Sequence, residues 1–94
     1  MAMTHKAMLK AVLDAQDAQA AELQLLINEG QWSFEGSIGR AMMQAINEGV
    51  CVLGPHPAYD YWGNRIPARS EVIPTTKGGI VYAYNMLTYK EWPL

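Results

Sequence analysis

The most reactive side chains of this sequence, those of Cys51, His56 and Asp60, lie within ten consecutive positions. A nucleophile, a base and a carboxylate that orients the base are what covalent hydrolysis requires. Closeness in sequence does not place these groups in contact, and Cys51 lies in the apolar run VCVL, where a buried, inert thiol is the usual outcome. A hydrolase built on Cys51 and His56 is therefore our third hypothesis, and the sequence argues against an enzyme.

Metal and phosphate chemistry are equally weakly indicated. His5, His56 and the single cysteine show no paired spacing such as CxxC or HxxxH, so we expect neither a metal nor another cofactor. The glycines and the lysine of TTKGG (75–79) could hold an anion. That stretch lacks the spacing of a Walker A loop, however, and no helix is predicted to follow it, so a hairpin turn is the better interpretation.

The stretch AYDYWGNRIPARSE (58–71) combines three aromatic rings and two arginines with the Gly-Asn signal of a turn. Tyr, Trp and Arg are the residues that dominate binding hot spots in protein interfaces. A loop that exposes them is typical of a recognition surface. The predicted partner-binding residues are Tyr59, Tyr61, Arg65, Arg69 and Lys77.

The same stretch also has a purely structural interpretation, as a packed loop. In it Trp62 fills the core, Asp60 bonds the turn backbone, and Arg65 or Arg69 pairs with Glu71. The two interpretations are compatible, and we favour a mixture. Trp62 is expected inside, while the tyrosines and arginines of the loop are expected outside.

A second functional class, single-stranded nucleic-acid binding, follows from the distribution of charge and rings. Seven of the nine aromatic residues follow residue 50, together with four of the seven lysines and arginines. A sheet that displays rings beside cations can stack and hold a single strand. The net charge of −2 and the absence of a known RNA-binding motif count against it, and Tyr82 or Tyr84 is expected in the core.

The predicted elements are two helices followed by a small sheet. Residues 5–29 contain no Gly or Pro, with Thr4 as N-cap, Gly30 as terminator and Gln24 on the polar side. A second amphipathic helix is predicted over 37–48. A sheet over 50–89 follows, with strands at 50–53 and 70–73 and the strongest strand at 80–89. The connections are short, so the predicted fold is α+β: two helices packed on an antiparallel sheet of two to three strands.

Length and composition fit one domain spanning residues 1–94. One cysteine, no signal peptide and no apolar run of membrane-spanning length predict a cytoplasmic protein that is not held in a membrane. A helix over 5–29 is long for so small a domain, which favours a homodimer through this helix.

The run EGSIGRAMMQAINEGVCVLGP, followed by DYWGNRIPARSEV and TTKGG, resembles small accessory proteins of bacteriophages and prophages; the resemblance covers residues 31–79. It implies a phage protein that binds host machinery, as anti-CRISPR inhibitors of host defence do, and it supplies no active-site residues. The leading hypothesis is accordingly a non-catalytic protein that binds and inhibits a host protein complex in the host cytosol. The single-stranded nucleic-acid binder is the alternative.

Overall fold

Four α-helices and one short hairpin form the part of the chain that the computed structural model describes, residues 3–32 and 36–89. The helices are α1 (His5–Ala15), α2 (Ala18–Asn28), α3 (Ser37–Asn47) and α4 (Ile80–Thr88). The strands β1 (Ala58–Tyr59) and β2 (Arg65–Ile66) pair antiparallel, and a 3-10 helix covers Arg69–Glu71. The fold class is α+β, with four helices in these residues where the sequence predicts two.

The predicted helix over 5–29 is interrupted in the middle. Gln16 and Asp17 have extended backbones, and the carboxylate of Asp17 accepts a hydrogen bond of 2.8 Å from the N–H of Ala20, so that Asp17 begins α2 as its N-cap. Aspartate competes for nearby backbone donors and therefore favours caps over helix interiors. Two helices of 11 residues replace the long one, which removes the length argument for a homodimer.

The local termination signals are confirmed. Thr4 caps α1 by accepting a hydrogen bond from the N–H of Ala7. Gly30 and Gly49, which end the two INEG strings, have φ angles of +71° and +79°, the left-handed conformation that closes a helix at glycine. The second predicted helix is present as α3, ending at Asn47.

The strongest predicted strand, 80–89, is wrong: residues 80–88 form α4. Ile80, Ala83, Tyr84 and Leu87 follow an i, i+3, i+4, i+7 pattern as well as an alternating one, so the sequence is compatible with either period. Packing decides between the two, because Ala83 is buried against Val12 of α1. A helix does therefore follow TTKGG, and the hairpin turn predicted there is wrong as well.

Residues 50–53, the central segment, do not pair as a strand, although Cys51, Val52 and Leu53 are buried. The side chain of Gln24 takes the place of a neighbouring strand: its amide accepts from the N–H of Val52 at 2.9 Å and donates to the C=O of Val52 at 3.0 Å. Gln24 is only 3% exposed, so its predicted place on the polar side of the helix is wrong. The predicted strand at 70–73 is also absent; these residues follow the start of the 3-10 helix.

The central segment contributes to two apolar clusters. Cys51 and Leu53 belong to the larger one, between α2 and α3, where they pack with buried residues such as Ile27, Trp32 and Met42. Val52 points to the smaller one, between α1 and α4. Successive side chains of the central segment thus belong to different clusters, so one short segment supplies both cores.

Among the described residues, no helix combines the length and the apolarity that crossing a membrane requires.

Candidate functional site

The hairpin at residues 58–66 is built by its own turn. Ala58 lies opposite Ile66 and Tyr59 opposite Arg65 in the two-residue strands. The backbone closes through hydrogen bonds from the N–H of Asp60 to the C=O of Asn64 and from the N–H of Gly63 to the C=O of Asp60. Gly63 has a φ of +82°, which lets the chain reverse direction without strain.

The carboxylate of Asp60 holds this turn together, as predicted. It accepts hydrogen bonds from the N–H of Trp62 at 2.9 Å, the N–H of Asn64 at 2.8 Å and the side-chain amide of Asn64 at 3.2 Å. Desolvation acts to raise the pKa of Asp60, but these donors outweigh it, so the pKa lies below its ordinary value. The turn is thus held by hydrogen bonds within the hairpin itself.

Three aromatic rings are held on the outside of this ordered turn. Tyr59, Tyr61 and Trp62 are 62%, 54% and 70% exposed. Tyr61 and Trp62 meet edge to face with their ring centroids 5.2 Å apart. The expectation that Trp62 fills the core is wrong, and Trp32 is the tryptophan that does so. Asp60 fixes the turn backbone in a way that points the Trp62 side chain away from the interior.

Arg65 is also on the outer surface and pairs with Glu71, which is one of the two pairings that the sequence predicts. Nη2 of Arg65 lies 2.8 Å from Oε2 of Glu71, and the other carboxylate oxygen accepts a hydrogen bond from the N–H of Ala68. The hydrogen bond and the charge of Glu71 raise the pKa of Arg65. The hydrogen bond from the N–H of Ala68 lowers the pKa of Glu71, and Arg65 lowers it further through its own hydrogen bond and charge. The pair joins β2 to the 3-10 helix and leaves the guanidinium half exposed.

Arg69 does not join this surface. Its Nη1 donates a hydrogen bond of 3.1 Å to the C=O of Leu53, and its backbone N–H donates to the C=O of Gly54. Desolvation lowers the pKa of this half-buried guanidinium. Arg69 therefore anchors the hairpin to Leu53 and Gly54. It also lines a separate cavity of about 350 Å³ together with His5.

Lys77 is exposed in the turn that leads into α4. The C=O of the next residue, Gly78, accepts a hydrogen bond from the N–H of Leu53, so this turn lies against the central segment. The side chain of Lys77 forms no hydrogen bond or ion pair with the hairpin in the described parts of the chain. Of the five predicted partner-binding residues, the hairpin brings together Tyr59, Tyr61 and Arg65. Arg69 and Lys77 are positioned by other contacts.

A groove of about 210 Å³ beside the hairpin adds residues that the sequence analysis misses. Trp62, Ile66 and Asp60 form one side of it, and Arg40 and Met43 of α3 form the other. Met43 is 41% exposed although its type is apolar. It lies off the stripe of Met42, Ala45 and Ile46 that α3 buries, and this spacing is the signal that could have identified it.

Cys51, His56 and Asp60 do not form a catalytic group in this structure. Cys51 is fully buried, and its thiol lies within hydrogen-bonding distance of the C=O of Ala20, at 3.3 Å. Burial, with a smaller effect of the charge of Asp17, raises the pKa of Cys51 to about 12, which leaves no thiolate at neutral pH. His56 is exposed and Asp60 is occupied by its turn.

No family model, curated protein or solved structure matches this chain.

Proposed function

We propose that this protein is a non-catalytic phage accessory protein that binds a host protein complex through the 58–66 hairpin and thereby inhibits it in the host cytosol. The observation that carries the proposal is the exposure of Tyr59, Tyr61 and Trp62 on a turn that its own hydrogen bonds already order. The host and phage parts of the proposal are supported by the resemblance of residues 31–79 and by the small, acidic chain.

Protein binding fits the energetics of this surface. Aromatic side chains bury a large area on binding, and they lose little conformational entropy because they have only two rotatable side-chain bonds. A rigid turn lowers the cost of ordering the binding loop. The half-exposed guanidinium of Arg65 lies in the strand pair beside Tyr59 and offers directional hydrogen bonds at the edge of the aromatic surface.

The test is a pull-down from bacterial lysate with the double variant Tyr61→Ala/Trp62→Ala. Both rings are exposed and neither supplies a described hydrogen bond through its side chain, so the fold is expected to persist. The matched control is Tyr89→Ala, which removes a ring that is 72% exposed at the end of α4. We expect the partner found by mass spectrometry to be retained by the control and lost by the double variant.

The affinity of the purified partner should then fall by at least about tenfold in the double variant, as expected for removal of aromatic hot-spot residues. Calorimetric titration measures this change. Partner profiles that are the same for wild type, double variant and control would overturn the proposal.

Single-stranded nucleic acid remains the second candidate, since exposed rings beside an arginine can also stack bases. The aromatic sheet that the sequence predicts for this candidate does not form, because residues 80–88 are helical. The Tyr82 hydroxyl donates a hydrogen bond to the C=O of Asn47. A labelled oligonucleotide titrated at increasing salt separates the two candidates. Affinity that falls steeply with salt would favour nucleic acid, and no binding would remove it.

A further inference from the structure

A second groove, of about 360 Å³, lies between α2 and α3 on a different face of α3 from the hairpin. Its apolar walls come from Ala20 and Leu23 of α2, from Ala41 and Ala45 of α3, and from Val50. Three of these five side chains are single methyl groups, so another chain can approach the helix backbones closely. Arg40 and Met43 of α3 turn instead toward the hairpin, so the two surfaces can be altered independently.

The polar rim of this groove is acidic. Asp17 and Glu48 line it, and no Lys, Arg or His does. The described ion pairs, Lys10–Asp14 and Arg65–Glu71, involve neither carboxylate. Glu48 follows the last residue of α3, where the helix dipole is negative and adds to its charge.

We propose that this groove binds a basic amphipathic helix of a partner protein, with apolar side chains against the alanines and lysines or arginines paired with Asp17 and Glu48. This is the mode in which a helix lays its apolar face into a groove. Charge complementarity selects the occupant: an acidic segment is repelled, and a purely apolar one would desolvate two carboxylates that have no ion-pair partner among the described residues. The inference does not rest on the function proposed for the hairpin.

The probe is a 14-residue amphipathic peptide of leucine and lysine, compared with the same peptide carrying glutamate for lysine. Binding is followed by NMR shifts of the backbone amides of the full chain. We expect the lysine peptide to shift the amides of α2 and α3 around Ala20 and Ala45, and the glutamate peptide to shift none of them.

The decisive variant is Asp17→Asn/Glu48→Gln, since asparagine caps a helix as well as aspartate does. The control, Glu22→Gln/Glu29→Gln, removes the same charge from α2 and its end, outside the groove. We expect the first variant to weaken the affinity for the lysine peptide about fivefold, as the loss of two partly exposed ion pairs allows. The control should change that affinity by less than about twofold. Ala41→Leu fills the groove with a helix-favouring residue and should abolish the shifts.

Three results would overturn the proposal. Equal weakening by the control would mean unspecific attraction to an acidic surface. Unchanged binding by Ala41→Leu would place the peptide elsewhere. A dimer in light scattering that Ala41→Leu removes would assign the groove to a second copy of this chain.

Discussion

Gln24 shows what a single residue contributes to this fold. It is a polar side chain in the core, and it completes the hydrogen bonding of Val52 while also bonding Gln16 and Asn28. A buried backbone group without a partner is costly, so a buried segment that pairs with no strand needs such a substitute. The fold therefore depends on the amide at this position rather than on the size of the side chain.

The substitution Gln24→Leu tests this dependence. It leaves the N–H and C=O of Val52 buried without a partner, and each such group costs about 1–3 kcal/mol. We expect the free energy of unfolding in urea, followed by circular dichroism, to fall by about 2–4 kcal/mol. Gln19→Leu, at an exposed position of the same helix, is the control and should change it by less than about 0.5 kcal/mol. Equal effects of the two changes would contradict the role of the amide.

Residues whose partners are close in sequence could be predicted, and residues whose partners are distant could not. Thr4, Asp60 and the Arg65–Glu71 pair act within a few positions, and turn and cap chemistry identifies them. Gln24 and Arg69 bond to the segment at 52–53, which is 28 and 16 positions away. Nothing in the local pattern indicates those contacts.

At the level of elements, the hairpin is stabilised by two carboxylates with lowered pKa values, Asp60 and Glu71. A carboxyl group whose pKa is lower in the folded state stabilises that state above its unfolded pKa, about 4 for these residue types. That contribution is lost as the pH falls through the lowered folded values. The hairpin is therefore expected to be ordered above about pH 5 and to loosen in more acidic solution.

NMR spectra recorded from pH 7 to pH 2.5 check this expectation. The backbone amide of Asn64 should exchange faster with solvent, relative to amides of α3, as Asp60 becomes protonated. The variant Asp60→Asn/Glu71→Gln has no titrating group at these positions, so its hairpin should respond much less. The same pH response in wild type and variant would show that other groups control the hairpin.

The predicted elements failed where two periodicities describe the same residues. The pattern of α4 fits a strand and a helix alike, and the contact between Ala83 and Val12 that decides it joins opposite ends of the chain. The break at Gln16 and Asp17 has a local cause instead, since aspartate commonly caps helices. The absence of Gly and Pro from residues 5–29 favours one continuous helix, and it outweighs the cap signal of a single aspartate.

The whole molecule is organised around residues 50–53, because both apolar clusters include side chains from this segment. Val52→Ala removes two buried methyl groups from the smaller cluster and should lower the free energy of unfolding by about 2 kcal/mol. If the clusters unfold together, native-state hydrogen exchange will show the same loss of protection in α1 and in α3. Loss confined to α1 and α4 would mean that the clusters open separately.

The loop from Gly54 to Arg69 leaves and re-enters the scaffold at neighbouring points, since the N–H of Arg69 bonds the C=O of Gly54 at 2.9 Å. Its exposed rings, Tyr59, Tyr61 and Trp62, belong to neither apolar cluster, so substituting them leaves the contacts of the core intact. The surface that these rings form is thus separable from the helices that support it. A designed library varied at these three positions, with Asp60 and the Arg65–Glu71 pair kept, is expected to retain the fold.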